Sequence, residues 1–169
     1  MSKKEMKQEK QTAFHNIEPV YDENSRILIL GSFPSVKSRE GQFFYHHPQN
    51  RFWKILSALT GDEFLTDIEG KRELLLKNRI AVWDVIGSCK IHGSSDSSIE
   101  DVVPNDINRI LETAPIEHIF TNGGKSYEMY RRYLLPLTKK EAVKLPSSSP
   151  ANASWSLERL IEAWKIILE

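Results

Sequence analysis

The sequence predicts an α/β protein, a three-layer α/β/α domain with a four-stranded, mainly parallel central sheet. Four short apolar runs alternate along the chain with segments whose apolar residues recur at helical spacing, and this alternation is typical of the class. The apolar runs are continuous, as expected of strands that are covered on both faces by helices. With 169 residues, the chain is long enough for one such domain.

The four predicted strands cover residues 26–30, 80–85, 117–121 and 142–145. Each run is too short for a helix, and most of them are bounded by glycine, proline or asparagine. They supply the four strands of the predicted sheet.

Helices are predicted over residues 52–59, 71–78, 107–114, 126–135 and 157–168. In most of them, apolar side chains recur three or four positions apart and so share one face. The last segment is the clearest, because its charged residues lie mostly opposite the apolar stripe. No internal repeat and no shift in composition marks a second domain.

Composition narrows the class of protein. The 23 lysines and arginines balance 23 aspartates and glutamates, which excludes a globally basic nucleic-acid coat but leaves room for a local basic patch. The lone Cys89 excludes an intramolecular disulfide framework and four-cysteine zinc or iron–sulfur sites. No apolar run approaches the roughly 20 residues of a membrane helix, so we expect a cytoplasmic protein that does not contact a membrane.

The first twelve residues hold four lysines and two glutamates with almost nothing apolar. They lack the apolar region of a secretion signal. We therefore expect residues 1–12 to form a polar, flexible tail, with a basic arm that grips phosphate as the alternative. Residues 13–169 are predicted to form a single domain.

Candidate binding segments follow the predicted strands, because ligands of parallel α/β sheets bind beyond the carboxyl ends of the strands. The segment 31–51 is long for a simple connection and carries three consecutive aromatic residues at 43–45. These rings either stack on a flat ligand or cap the core. The Ser-rich segment 87–98 either lines a pocket or forms a flexible surface loop.

Two further segments follow the third and fourth strands. Residues 122–126 (NGGKS) suggest a phosphate loop, but a Walker A motif needs glycine where Ile119 stands, which excludes an NTPase. A two-glycine turn before a helix can still hold an anion or a polar ligand edge. In residues 145–152, two prolines bracket three serines, and this loop either grips a phosphate backbone or simply connects strand to helix.

Other chemistries lack their motifs. The five histidines form no His-Glu-x-x-His pattern, and we expect neither a metal site nor a cofactor. The chain carries no Gly-x-Ser-x-Gly elbow of an α/β-hydrolase and no Gly-x-Gly-x-x-Gly dinucleotide fingerprint.

Taken in order, the motifs resemble the uracil-DNA glycosylase superfamily. Residues 31–35 (GSFPS) match the Gly-x-x-Pro frame of its first motif, and residues 45–53 (YHHPQNRFW) resemble the Phe-Ala-x-Pro-x-Asn-Arg-Phe-Trp run of the mismatch-specific uracil glycosylases. Residues 145–152 (LPSSSPAN) resemble the second, DNA-intercalating motif. The Gly-Ser-Phe-Pro start and residues 83–89 (WDVIGSC) are most similar to the hypoxanthine-DNA (DNA-deoxyinosine) glycosylase branch. The likeness runs over residues 14–168.

The resemblance implies a DNA repair glycosylase, and the absence of lysine from residues 31–35 and 45–53 predicts that it is monofunctional. Such an enzyme hydrolyses the N-glycosidic bond of a deaminated base in double-stranded DNA, here hypoxanthine with uracil as a further substrate, and leaves an abasic site. It implies no cofactor and no obligate protein partner. The alternative is a non-catalytic nucleotide- or nucleic-acid-binding domain on the same scaffold. Phe33 supports that alternative, because mismatch-specific uracil glycosylases carry their catalytic asparagine at this position.

The resemblance also assigns the site. Asn50 is expected to position the attacking water, and its other interpretation is a cap for the helix that follows. Tyr45 is expected to stack on the extruded base. The other predicted base-binding residues are Gly31, Ser32, Phe33 and Asn122. The predicted DNA-binding residues are Pro34, Arg51, Lys125, Ser147, Ser148, Ser149, Pro150 and Asn152.

Overall fold

Seven strands in two sheets form the framework of the protein in a computed structural model, which describes residues 10–63 and 67–169. The strands of these described residues are β1 (Gln11–Phe14), β2 (Ile27–Gly31), β3 (Ile80–Asp84), β4 (Ile86–Ile91), β5 (Glu100–Pro104), β6 (His118–Asn122) and β7 (Ala142–Leu145).

The larger sheet has four parallel strands in the order β3-β2-β6-β7. Its register places Ile27 between Ile80 and His118, and Ile119 opposite Ala142. All five residues of β3 and the last four of β2 are buried, as continuous apolar runs predict. The predicted three-layer α/β class and its four strands are confirmed, each strand within one residue of its predicted bounds.

Helices connect and cover the strands. They are α1 (Val36–Gly41), α2 (Phe52–Thr60), α3 (Ile68–Lys77), α4 (Asn108–Leu111), α5 (Gly124–Met129), α6 (Leu135–Thr138) and α7 (Leu157–Trp164). A π-helical turn (Tyr130–Leu134) joins α5 to α6, and 3₁₀ turns cover Asp96–Ser98 and Lys165–Leu168. Each predicted helical segment contains helix.

One helix was not predicted. Helix α1 lies inside the segment 31–51, where the Ser35 side chain caps its first turn by accepting a hydrogen bond from the Ser38 amide at 3.1 Å. Its six residues are mostly polar and carry no apolar stripe, so helical periodicity could not reveal it.

The second sheet is antiparallel, in the order β1-β4-β5, and was not predicted either. Gln11 pairs with Ile91, so the predicted tail ends too late: its last two residues belong to β1. Residues 1–9 of the predicted tail lie outside the described residues. Strand β4 occupies the start of the Ser-rich segment 87–98, whose glycine and serines favour a loop on composition alone.

Helices α2 and α7 pack together and anchor the segment between β7 and α7. The rings of Phe52 and Trp164 are both fully buried and meet edge to face at 5.8 Å. The Trp164 indole also donates to the Pro146 carbonyl at 2.9 Å. The start of the loop after β7 is therefore anchored to the core through Trp164. Across the described chain, every helix is too short or too polar to traverse a bilayer.

Candidate active site

A cleft with a volume of about 370 Å³ opens at the carboxyl ends of the parallel strands. Strand β3 lies on one side of β2 and the later strand β6 lies on the other, so the order of the strands reverses at β2. Such a reversal creates a crevice for ligands. The lining includes all the predicted base-binding residues, together with Asn50, Pro34, Ser147, Ser148, Ser149 and Pro150. It also includes Asp84 and Asp96, which were not predicted. Arg51, Lys125 and Asn152 stand outside it.

A chain of three side chains joins the parts of this cleft. The Asn122 amide donates to Ser148 Oγ at 2.9 Å and accepts from the Ser148 backbone amide at 3.0 Å. Ser148 Oγ in turn donates to Asn50 Oδ1 at 2.7 Å. The end of β6, the loop after β7 and the approach to α2 are therefore locked together.

Ser148, a predicted DNA contact, turns its side chain inward in the structure. Its side chain is fully buried, and its hydroxyl is engaged by Asn122 and Asn50. A buried hydroxyl with both donor and acceptor satisfied has nothing left to offer a phosphate. Ser148 positions the two asparagines instead.

Asn50 lines the cleft and also bonds the first residue of α2. Its Oδ1 accepts from the Phe52 backbone amide at 3.0 Å, which stabilises the first turn of α2, as well as from Ser148. These two bonds occupy both lone pairs of the oxygen. Within the described residues, its Nδ2 makes no hydrogen bond, and the side chain lines the cleft. The amide nitrogen is thus the group that Asn50 can offer to a ligand or a water.

Arg51 holds the loop after β7 instead of facing outward. Its guanidinium donates to the backbone carbonyls of Ser149 at 2.8 Å and Asn152 at 3.0 Å, and also to the carbonyl of Trp155. A longer bond of 3.4 Å reaches the Ser148 carbonyl. These contacts favour an internal clamp over the predicted DNA contact, because the planar guanidinium is committed to four carbonyls of one loop.

Tyr45 lies with its ring stacked on Phe52, the centroids 4.0 Å apart and the planes 21° from parallel. Its backbone has φ of 51°, a left-handed conformation that is uncommon outside glycine and that clusters at functional sites. The hydroxyl is buried without a hydrogen bond among the described residues. Burial, followed by the charge of Asp84, raises the pKa of Tyr45. The nearby Asn122 amide partly offsets this pKa shift, without the geometry of a full hydrogen bond.

Asp84 ends β3 and forms the floor of the cleft together with Gly31. Its carboxyl is almost fully buried and accepts a hydrogen bond at Oδ2 from His15 Nε2 at 2.8 Å. A β-carbon on Gly31 would lie only 2.3 Å from Asp84 Oδ1 and 3.0 Å from the Tyr45 hydroxyl. Glycine is therefore required here for close approach. The sequence signal for Asp84 was a single charged residue closing an apolar strand, whereas nothing local marks His15.

Replacing Gly31 by alanine is expected to lower the free energy of unfolding by about 1–3 kcal/mol, because the new methyl group overlaps a buried carboxyl oxygen. Chemical denaturation monitored by tryptophan fluorescence measures this. The matched control is Gly124→Ala, since a β-carbon at Gly124 meets no atom within 4 Å. If both variants are as stable as the parent, the packing described for Gly31 is incorrect.

Asp96 supplies the second carboxyl of the cleft. Ser32 Oγ donates to its Oδ1 at 3.1 Å. Although much of the residue is exposed, enclosure of its carboxyl raises the pKa of Asp96, while the Ser32 bond and the charge of Lys125 act against that. Lys125 thus lies near enough to interact with this carboxyl at the mouth of the cleft. Among the described residues, no cluster of three or more His, Cys, Asp or Glu side chains could hold a metal ion.

Comparison with known proteins shows the family of the chain. The family model of the uracil DNA glycosylase superfamily matches residues 18–168. A hypoxanthine DNA glycosylase of Methanosarcina acetivorans is 37% identical over 150 residues, which cover 88% of this chain and 93% of that protein. A hypoxanthine DNA glycosylase of Methanosarcina barkeri is 36% identical over 136 residues, covering 79% and 85%.

A solved structure is similar as well. The solution NMR structure of a candidate uracil DNA glycosylase from Methanosarcina acetivorans superposes with a TM-score of 0.76 at 35% identity, covering 94% of this chain and all of that one. The residues matched by the family model, 18–168, include every residue that lines the cleft. On the strength of these matches, the chain belongs to the uracil DNA glycosylase superfamily.

Proposed function

We propose that this protein removes hypoxanthine from deoxyinosine in double-stranded DNA by hydrolysing the N-glycosidic bond. Family membership and the two hypoxanthine DNA glycosylase relatives support a DNA repair glycosylase. The observation that carries the proposal is the amide nitrogen of Asn50, left without a partner among the described residues and directed at a cleft that also holds Tyr45. Asn50 stands in place of the motif-one asparagine that Phe33 replaces.

The reaction needs an extruded base, an aligned water and stabilisation of the departing purine. Extrusion costs a few kcal/mol, and least for a mispaired base such as hypoxanthine. Tyr45 would stack on the extruded base, and the Asn50 amide would hold the water near C1′, a positioning role rather than that of a strong base. Backbone amides near Gly31 would stabilise negative charge on the leaving base.

The loop after β7 is proposed as the element that enters the duplex. Arg51 and the bond from the Asn152 amide to the Ser147 carbonyl at 3.0 Å hold its backbone in place before DNA binds. Ser147, Ser149 and Pro150 are accessible on this ordered loop, and small or apolar side chains suit a wedge between base steps. Pro34 at the cleft wall and Lys125 beside it would contact the strand that carries the damaged base.

The proposal is tested on duplexes that differ at one position: deoxyinosine, deoxyuridine or an undamaged base. After incubation, alkali converts abasic sites into strand breaks. We expect breaks at deoxyinosine, fewer at deoxyuridine and none in the undamaged duplex. Binding to the deoxyinosine duplex without alkali-sensitive sites would favour the alternative of a non-catalytic nucleic-acid-binding domain.

No covalent enzyme–DNA adduct is expected when borohydride is added during turnover on an intact deoxyinosine duplex. A Schiff base needs an amine at C1′, and no lysine is among the described residues that line the cleft. Gel mobility of the protein–DNA mixture measures this, with a lysine-dependent glycosylase as positive control. A trapped adduct would show that strand cleavage accompanies base release.

A further inference from the structure

The floor of the cleft holds a buried carboxyl–imidazole pair that the mechanism above does not use. Asp84 is 3% exposed, and the His15 and Asp84 side chains meet at 2.8 Å. The two residues come from opposite parts of the chain, 69 positions apart. Burying a carboxyl is costly unless its oxygens find donors, so a buried carboxyl at a ligand cleft requires a physical reason.

His15 is fixed in orientation. Its Nδ1 accepts from the Ile17 backbone amide at 3.3 Å, so in the neutral ring the proton sits on Nε2 and is donated to Asp84. The rings of Phe33, Phe44 and Trp83 surround the imidazole with centroids 6.1 Å away. The pair therefore has one arrangement, with His15 as donor and Asp84 Oδ2 as acceptor.

This arrangement leaves Asp84 Oδ1 for a ligand. Among the described residues no side chain donates to it, and it lies against the Cα of Gly31 at the cleft wall. The Tyr45 hydroxyl lies beside it. This hydroxyl is also buried and has no hydrogen-bond partner among the residues that the structure describes. Two neighbouring polar groups without hydrogen-bond partners in a binding cleft indicate that a polar edge of the ligand supplies those partners.

We propose that Asp84 selects the extruded base by accepting a hydrogen bond at Oδ1 from a ring N–H, with His15 as its positioning residue. The inference rests on the proposed glycosylase function and deepens it. Deamination of adenine converts N1 from an acceptor into an N–H donor. A fixed carboxyl acceptor therefore binds hypoxanthine and meets a lone pair on adenine, the normal base.

The same chemistry extends to uracil, whose N3–H replaces the lone pair of cytosine. Guanine also carries an N1–H, and the cost of breaking its pair with cytosine opposes its extrusion. A site built to bond a ring N–H rejects an analogue that lacks it by a large factor, because its own polar groups are then left unpaired. Asp84 thus distinguishes deaminated bases from their parents.

The test is a double-mutant-type cycle in which a change in the enzyme is combined with a change in the substrate base. Single-turnover excision is measured for deoxyinosine and for 2′-deoxy-1-methylinosine, each opposite the same synthetic abasic analogue so that neither base is paired. For the parent enzyme, the methyl group is expected to lower the rate by at least about 100-fold, since it replaces the N–H. For Asp84→Ala, deoxyinosine excision falls by a similar factor and the methyl penalty shrinks below about fivefold.

Two further variants guard against misfolding and general charge effects. Asp84→Asn keeps the side-chain volume, and because His15 requires an acceptor, the new amide turns its NH₂ toward the cleft. We expect it to lower deoxyinosine excision by at least about 50-fold at a near-normal melting temperature. Asp96→Asn removes the other cleft carboxyl and should keep the parent's methyl penalty.

His15 is tested through the same ratio. His15→Phe retains an aromatic ring among Phe33, Phe44 and Trp83 but cannot donate to Asp84, so the methyl penalty should collapse. His15→Gln keeps a donor and should restore part of the penalty. A purely structural role for His15 would change stability and leave the ratio intact.

The outcomes separate the two proposals. If the parent enzyme does not excise deoxyinosine, the proposed function fails. If it excises deoxyinosine and the methylated base equally well, or if Asp84→Ala keeps the full penalty, or if Asp84→Asn is as fast as the parent, base selection by Asp84 is overturned while the glycosylase function stands.

Discussion

Replacement of Asn50 by alanine is expected to lower the single-turnover rate of hypoxanthine excision by at least about tenfold, about 1.4 kcal/mol of transition-state stabilisation, with little change in duplex affinity. A positioned amide acts mainly on the water in the transition state. Contacts to phosphate act in the ground state as well. Rapid-quench kinetics with enzyme in excess, combined with a binding titration, distinguish the two effects.

Asn50→Ala is also expected to lower the stability of the protein. A second variant, Asn50→Asp, separates this loss of stability from the effect on the reaction rate. Alanine removes the acceptor for the Phe52 amide and the Ser148 hydroxyl, which should cost about 1 kcal/mol or more of stability. Asn50→Asp keeps that oxygen and replaces the NH₂ group with a charged carboxylate oxygen that accepts hydrogen bonds and cannot donate them. We expect Asn50→Asp to be nearly as stable as the parent and as slow as the alanine variant. An aspartate variant with the parent's rate would show that excision does not require an N–H donor at this position.

Arg51→Met is expected to lower the free energy of unfolding by about 2–4 kcal/mol. The change leaves the carbonyls of Ser149, Asn152 and Trp155 without their charged donor. Urea denaturation, followed by tryptophan fluorescence, measures the loss. The excision rate should fall with it, because the loop that the guanidinium holds also carries Ser148, the partner of Asn50.

The salt dependence of DNA binding tests whether Arg51 is an internal clamp or a phosphate contact. The loop at 146–154 contains no lysine or arginine, so its loosening removes no phosphate charge pair. For Arg51→Met, the slope of log K against log salt should therefore match the parent. Lys125→Met is the control, and its slope should become shallower by about one. A shallower slope for Arg51→Met with intact stability would restore Arg51 as a DNA contact.

The parallel sheet could be predicted because its signal is local. Continuous apolar runs such as that of β3 mark strands buried on both faces, and the ligand end of such a sheet follows from strand direction. The antiparallel strands β1 and β4 carry no such signal. The Gln11–Phe14 strand follows a charged stretch, and Ile86–Ile91 contains glycine and serine, so their pairing depends on each other rather than on their own composition.

The site was predictable only in outline. The motifs identified which segments meet at the cleft, but the direction of each side chain depends on partners far along the chain. Ser148 turns inward because Asn122 and Asn50 satisfy it, and Arg51 turns to a loop some 100 residues away. Asp84 has a partner in His15 that no local spacing relates to it. Long-range hydrogen bonds of this kind depend on the tertiary structure, and no local motif predicts them.

Detection of the released base itself tests the proposed glycosylase activity most directly. A duplex with one deoxyinosine is incubated with excess enzyme, and free hypoxanthine is quantified by mass spectrometry over time for the parent protein and for Asn50→Ala. We expect one hypoxanthine released per duplex, a strand that stays intact until alkali is added, and a rate at least about tenfold lower for the variant. A duplex that is bound but yields no free base would contradict the proposed glycosylase activity, and a variant that releases the base at the parent's rate would contradict the role of Asn50.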